Sequence, residues 1–298
     1  FSRVQAGTWF DAPVTLTSRG AGVIPAVTVS GGMLDLRALP TGLDSSGGSG
    51  GGGTPMSVAL DQVTVTQGIL LRNVQGKFTT QGGFQGNFTA MAGEKAPISG
   101  QVRPGAGGSA VLITAPNAGT VLKGTGLFKT VKGGAMSLRL TPVVGAAGSY
   151  DGVLDIREVR LQNAPIIGSI LDAISIVGIL DQLNGVGIYF TNVDANFRLT
   201  PDQIILRQSS ATGPSMGISL DGYYNLVTKA LDMQGVVSPI YILNGIGSIF
   251  SRKGEGLIGF NFSIGGTTTA PRVAVNPLSV FTPGMFREIF RRAPPQPG

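Results

Sequence analysis

The stretch Leu257-Ile258-Gly259-Phe260-Asn261-Phe262-Ser263-Ile264 decides the fold. Side chains alternate between the two faces of an extended chain, so Ile258, Phe260, Phe262 and Ile264 share one face, while Leu257, Gly259, Asn261 and Ser263 share the other. Four apolar residues at period two describe a half-buried strand with one oily face and one mixed face. Ile218 and Leu220 against Ser219 and Asp221 repeat the pattern upstream. Outward from there, short apolar runs separated by Gly, Pro, Asn and Asp predict strands over 187–191, 193–199, 203–208, 216–224, 230–237 and 272–275.

The N-terminal half carries the same grammar. Val27 and Val29 precede Gly31-Gly32, and Met56, Val58 and Leu60 lead to Val63 and Val65 across an expected bulge at Asp61-Gln62. Strands are expected over 68–73, 76–80, 86–91, 98–102, 111–114, 135–142 and 152–161. In the last of these apolar and polar residues segregate only partly. Asn117 suits the N-cap of a short helix running to about Lys129. The 164–183 segment changes period, with Ile166, Ile167, Ile170, Leu171 and Ile174 among residues that cover most of a helix surface. Pro165 suits its first turn, and Gly178 is the expected break. Asp172 and Asp181 within it argue against a bilayer span. The Gly/Ser run in 44–55 has almost no side chains to pack and is expected to be a flexible loop, of either engineered or natural low-complexity origin. Met233 to Ser251 lacks charge, but Pro239 and Asn244 break it into a strand and a short helix over 241–250.

Composition narrows the function. With 298 residues and 42% apolar content the chain can bury a substantial core, and 47 Gly and 18 Pro with 13% charged residues favour sheets over helical bundles. The chain has no Cys and no His, which removes thiolate sites, the commonest general base and the commonest metal ligand. No enzyme activity is expected. Sparse acids offer no convergent carboxylate pair for glycoside hydrolysis. The net charge of +6 is not interleaved with stacking aromatics, so nucleic acid is not an expected partner. Phe1-Ser2-Arg3 lacks both Met and a signal peptide, so the chain is read as a fragment or a processed form, and any membrane anchor is expected to lie outside it.

Four C-terminal stretches resemble one family. They are Ala164-Pro165-Ile166-Ile167, Gly213-Pro214-Ser215-Met216-Gly217, Val237-Ser238-Pro239 through Asn244, and Gly256-Leu257-Ile258-Gly259 running to Asn276-Pro277-Leu278-Ser279 and Pro283-Gly284. Their wording and order resemble the C-terminal region of the AsmA-like, YhdP-like and TamB-like bacterial envelope proteins. Val29 to Leu36 and Ala118 to Gly134 resemble it more weakly. The resemblance implies a mainly β chain with a few short helices, forming a curved, half-open antiparallel sheet (a taco or partial barrel) with an apolar groove capped by amphipathic helices. A β-meander over 1–163 would precede a family-like region over 164–298.

The function so implied is phospholipid binding and transport between the inner and outer membranes in the periplasm of a Gram-negative bacterium, with the whole protein anchored in the inner membrane. The alternative is a non-transporting assembly factor for outer-membrane proteins that acts by strand addition. Ile218, Leu220, Leu231, Met233, Val237, Ile258, Phe260, Phe262 and Ile264 would line the groove, and Ile167, Ile170, Leu171 and Ile174 would cap it. Read from residues alone, the oily faces suit an ordinary sandwich core better. The resemblance and the all-round apolar helix turn the expectation towards a groove. Phe286 and Phe290 with Arg287 and Arg291, on a helix over 283–292, would touch a membrane surface or a partner in the periplasm or outer membrane, or pack on the sheet edge. No cofactor is expected beyond a bound phospholipid or fatty acid.

Overall fold

The computed structural model describes residues 3–38, 53–66, 68–146, 148–175, 177–239 and 259–276. Residues 44–52 of the expected Gly/Ser loop, the helix over 241–250 and the helix over 283–292 lie outside the described residues, as does Ile258.

Among the described residues eighteen strands form one sheet. Five short strands open the chain: β1 (Val4–Ala6), β2 (Phe10–Ala12), β3 (Val14–Thr17), β4 (Ala26–Ser30) and β5 (Met33–Asp35). The meander then runs through β6 (Pro55–Thr64), β7 (Leu70–Thr79), β8 (Gln85–Ala92), β9 (Ala96–Gly105), β10 (Gly108–Ala115), β11 (Val131–Pro142) and β12 (Tyr150–Leu161). It continues as β13 (Ile188–Leu199), β14 (Gln203–Thr212), β15 (Met216–Asn225), β16 (Ala230–Pro239), β17 (Phe260–Thr267) and β18 (Pro271–Asn276). From β6 to β18 every strand pairs antiparallel with its sequence neighbour, while β4 and β5 join β6 in parallel. No ladder joins β18 back to β1 among the described residues, and the sheet is a curled open half-barrel. The ladder between β12 and β13 crosses the 163/164 boundary without interruption, from Tyr150 opposite Leu199 to Leu161 opposite Ile188.

The three α-helices among the described residues occupy connections at one end of the strands. Helix α1 (Ala118–Gly124) links β10 to β11, and α2 (Pro165–Ala173) with α3 (Val177–Asn184) links β12 to β13. Asn117 caps α1, its Oδ1 accepting from the Thr120 N–H at 3.1 Å. The helix stops at Gly124 rather than near Lys129, where the Gly93 turn crosses it. A Cβ on Gly93 would lie 2.5 Å from the Gly124 carbonyl oxygen, so this approach is open only to glycine. At the other end the described connections include tight turns such as Asn225–Lys229, where Asn225 Oδ1 accepts from the Val227 and Thr228 N–H groups at 2.9 and 2.8 Å.

Several expectations are corrected. The 164–183 segment is two helices, and the break falls at Ile174-Ser175, where Ser175 takes φ +57°. Gly178 lies inside α3. Strands expected over 68–73 and 76–80 are one strand, β7, bent at Asn73 with φ +49°. Those over 187–191 and 193–199 are one strand, β13. At Asp61-Gln62 both N–H groups reach the single carbonyl of Gly32, at 3.0 and 3.2 Å. The β6–β7 register itself is unbroken, and the shift lies one strand on, in β7 against β8 between Arg72 and Gln75. The partial segregation in β12 also has a cause. Glu158 takes φ +59°, and past it the burial changes parity, so that Val159 is buried in the same cluster as Ile156, while the register against β11 and β13 runs through unshifted.

Candidate functional site

The cross-strand register assembles apolar rows that run across the strands. One begins at Leu16 and passes through Val27, Met56, Phe78, Gly86, Val102 and Val111 to Leu140. It continues through Gly152, Phe197, Leu206, Gly222, Met233 and Ile264 to Val273. All fifteen of its positions, on fifteen strands, are apolar or glycine. With strands about 4.8 Å apart, the row follows the sheet for roughly 70 Å. Beside it a second row runs from Val29 through Phe88, Ile113, Leu154 and Leu220 to Phe262 and Val275. Its single polar member, Ser209, donates its hydroxyl to the Leu220 carbonyl at 2.6 Å and so presents no unmet donor. A third row links Ala115, Met136, Ile156, Val193, Ala211, Ile218, Val237 and Phe260.

In these rows Phe78 lies directly opposite Gly86, Phe88 opposite Gly100, Phe197 opposite Gly152 and Phe262 opposite Gly235. In each pair the ring lies over the glycine so closely that a Cβ there would come within 2.1–2.6 Å of it. The arrangement covers backbone that has no side chain of its own and thins the apolar layer locally.

The apolar face is sealed at the helical end and less tightly packed elsewhere. Ile170 and Leu171 of α2 and Leu183 of α3 are fully buried in one cluster with Met136, Ile156, Ile188, Phe190, Met216 and Val237, and α2 reaches across to β18. Of the residues expected to line a groove, Met233, Val237, Phe262 and Ile264 are buried in that cluster. Ile218, Leu220, Leu231 and Phe260 are half-buried against it. Of the expected capping residues, Ile170 and Leu171 are buried at 0% exposure, while Ile167 and Ile174 are half-buried. Phe286, Arg287, Phe290 and Arg291 lie outside the described residues. The rows also recruit Phe78, Phe88, Leu154, Phe197 and Leu206 from strands upstream of Ile218, none of which was singled out from sequence. Each pairs with a residue on another strand, and period two along a single strand carries no information about that partner.

The opposite face is polar. Ser137, Asp155, Asp194, Ser210 and Ser219 stand in register across β11 to β15. Asp151 accepts two hydrogen bonds from the Arg198 guanidinium, at 3.0 and 2.9 Å, with Arg207 3.3 Å away. The Arg198 hydrogen bond holds the Asp151 carboxyl below the usual carboxylate range. Among the described residues no group of three or more Asp or Glu could hold a metal ion, and no helix is long and apolar enough to cross a membrane. No protein-family model, curated protein or solved structure matches the chain.

Proposed function

We propose that the chain shelters lipid acyl chains on the apolar face of its half-barrel and serves phospholipid binding and transport between the two membranes of a bacterial envelope. The observation that carries the reading is the fifteen-strand row without a polar side chain. Exposing a long acyl chain to water costs on the order of 10 kcal/mol at about 0.8 kcal/mol per methylene, so a carrier needs continuous apolar cover along its path. A curled sheet provides such cover because register carries one face through every strand, and its unclosed seam lets a tail enter sideways while a headgroup stays in water. The buried members of the rows hold the wall together, and half-buried Leu154, Leu220, Leu231 and Phe260 are the surface a tail meets.

Mass spectrometry of organic extracts from the purified chain tests this. Phospholipid or fatty acid is expected with the wild type and is expected to fall at least about fivefold in Phe260→Asp and in Leu220→Asp. Val153→Asp, at a 49%-exposed position on the polar face, should retain it. Absence of lipid from the wild type, or equal loss in all three variants, refutes lipid shelter. Absence from the wild type would favour a second reading, in which β18 receives a strand of another protein. That reading rests on β18 pairing with β17 alone among the described residues.

A further inference from the structure

We infer that the polar face of β6 to β10 is a binding surface for an anionic polysaccharide. It lies on the opposite side of the sheet from the lipid rows and does not depend on that reading. A shallow concavity of about 790 Å³ crosses these five strands, lined on this face by residues that include Gln75, Asn87, Thr89, Ser99, Gln101 and Thr114. A second concavity of about 450 Å³ continues it past Lys77 to Arg103. Register explains the lining, since Asn87 lies opposite both Lys77 and Gln101, while Thr89 lies opposite both Gln75 and Ser99. The side chains already form a chain of contacts: Arg103 Nε donates to Gln101 Oε1 at 3.0 Å, and Gln101 Nε2 donates to Asn87 Oδ1 at 3.2 Å.

Charge singles out this face. Residues 53–146 hold 8 Lys and Arg against 2 Asp and Glu, a surplus of six that equals the net charge of the whole chain. On β12 to β14 three arginines sit against carboxylates, Arg157 on Asp155 at 3.1 Å and Arg198 and Arg207 on the shared Asp151, while Arg160 lies over the Tyr189 ring. Lys77, Arg103 and Arg139 are exposed and have no carboxylate partner among the described residues. The concavity therefore combines hydroxyl and amide groups, repeated at the strand spacing, with cations that lack a counter-charge.

That combination matches a polymer of hydroxyl-rich units carrying acid groups. Amides and hydroxyls pair with ring hydroxyls, and Lys77 and Arg103 pair with the acids. Nucleic acid fits less well because this face of β6 to β10 offers no aromatic platform among the described residues; Phe88 points to the apolar side. A bilayer fits less well because a flat surface cannot fill a trough, and Leu112 is the one large apolar side chain lining it from this face.

Affinity electrophoresis and calorimetry with polygalacturonate, against neutral dextran, phosphatidylglycerol vesicles and duplex DNA, test the inference. Wild type is expected to bind polygalacturonate in preference to all three. The Lys77→Gln/Arg103→Gln variant should bind it at least about tenfold more weakly. Ser99→Trp, which fills the trough at an exposed position without altering charge, should also weaken binding. Lys123→Gln/Lys129→Gln removes the same charge from the helical end and should bind as wild type does. Failure of the wild type to prefer polygalacturonate over dextran overturns the inference. So does equal loss in the Lys123/Lys129 variant, indifference to Ser99→Trp, or tighter binding to vesicles or DNA.

Discussion

Gly152 lies opposite Phe197, and a Cβ built on it would stand 2.3 Å from the ring. Alanine there must push the ring off the strand and into its neighbours, so Gly152→Ala is expected to destabilise the fold by about 1–3 kcal/mol. Adding Phe197→Leu should recover part of the loss, which urea unfolding of the two variants would read as a non-additive cycle. Asp35 shows a different kind of residue-level effect. It is 8% exposed and accepts from Arg37 Nε at 2.9 Å, from Arg37 Nη2 at 2.6 Å and from the Arg37 backbone N–H at 3.0 Å. The guanidinium hydrogen bond is the main cause that lowers the Asp35 carboxyl below its usual range. A lowered folded value means that this stabilisation is complete above the unfolded carboxylate range near pH 4 and disappears as pH falls through the folded value. Asp35→Asn should therefore cost about 1 kcal/mol at pH 7, kept small because the Arg37 side chain is 37% exposed. The cost should vanish in chemical denaturation run near pH 2.

Among the elements, α2 seals the helical end of the half-barrel. Ile170 is at 0% exposure, and α2 meets both α3 and β18, so one side chain helps to join the middle of the sheet to its last strand. Ile170→Ala is expected to cost about 2–5 kcal/mol and to raise hydrogen exchange in β18 more than in β7, because this helix packs on β18 and has no comparable packing on β7 among the described residues. An exchange increase spread evenly over the sheet would show that α2 does not hold β18. The helix itself was legible in the apolar run from Ile166 and in Pro165 at its start. Its division at Ser175 was not, because no local signal marks a serine for a left-handed φ. Gly178 offered the familiar breaker and remained helical.

At the scale of the whole molecule, register converts alternation within strands into two continuous faces, one apolar and one polar. The shift between β7 and β8 and the shifts flanking β14 each skip a residue where the face would otherwise change sides, and Glu158 at φ +59° marks a change of parity in β12 without a register shift. Alternation in residues such as Phe260 to Ile264 and Ile218 to Leu220, with abundant glycine and no cysteine, was enough to determine a mainly β chain with one oily face, because period two is a local property of the backbone. The sequence also placed Asn117 as a helix cap, since capping involves residues three apart. Tertiary structure alone decided which strand faces which. Phe197 found Gly152 across 45 positions, Asp151 found Arg198 across 47, and the uncompensated cations of β7 to β11 came onto one face. Such pairings follow from ladder register and curl, which sum over the whole sheet and leave no mark in any single segment.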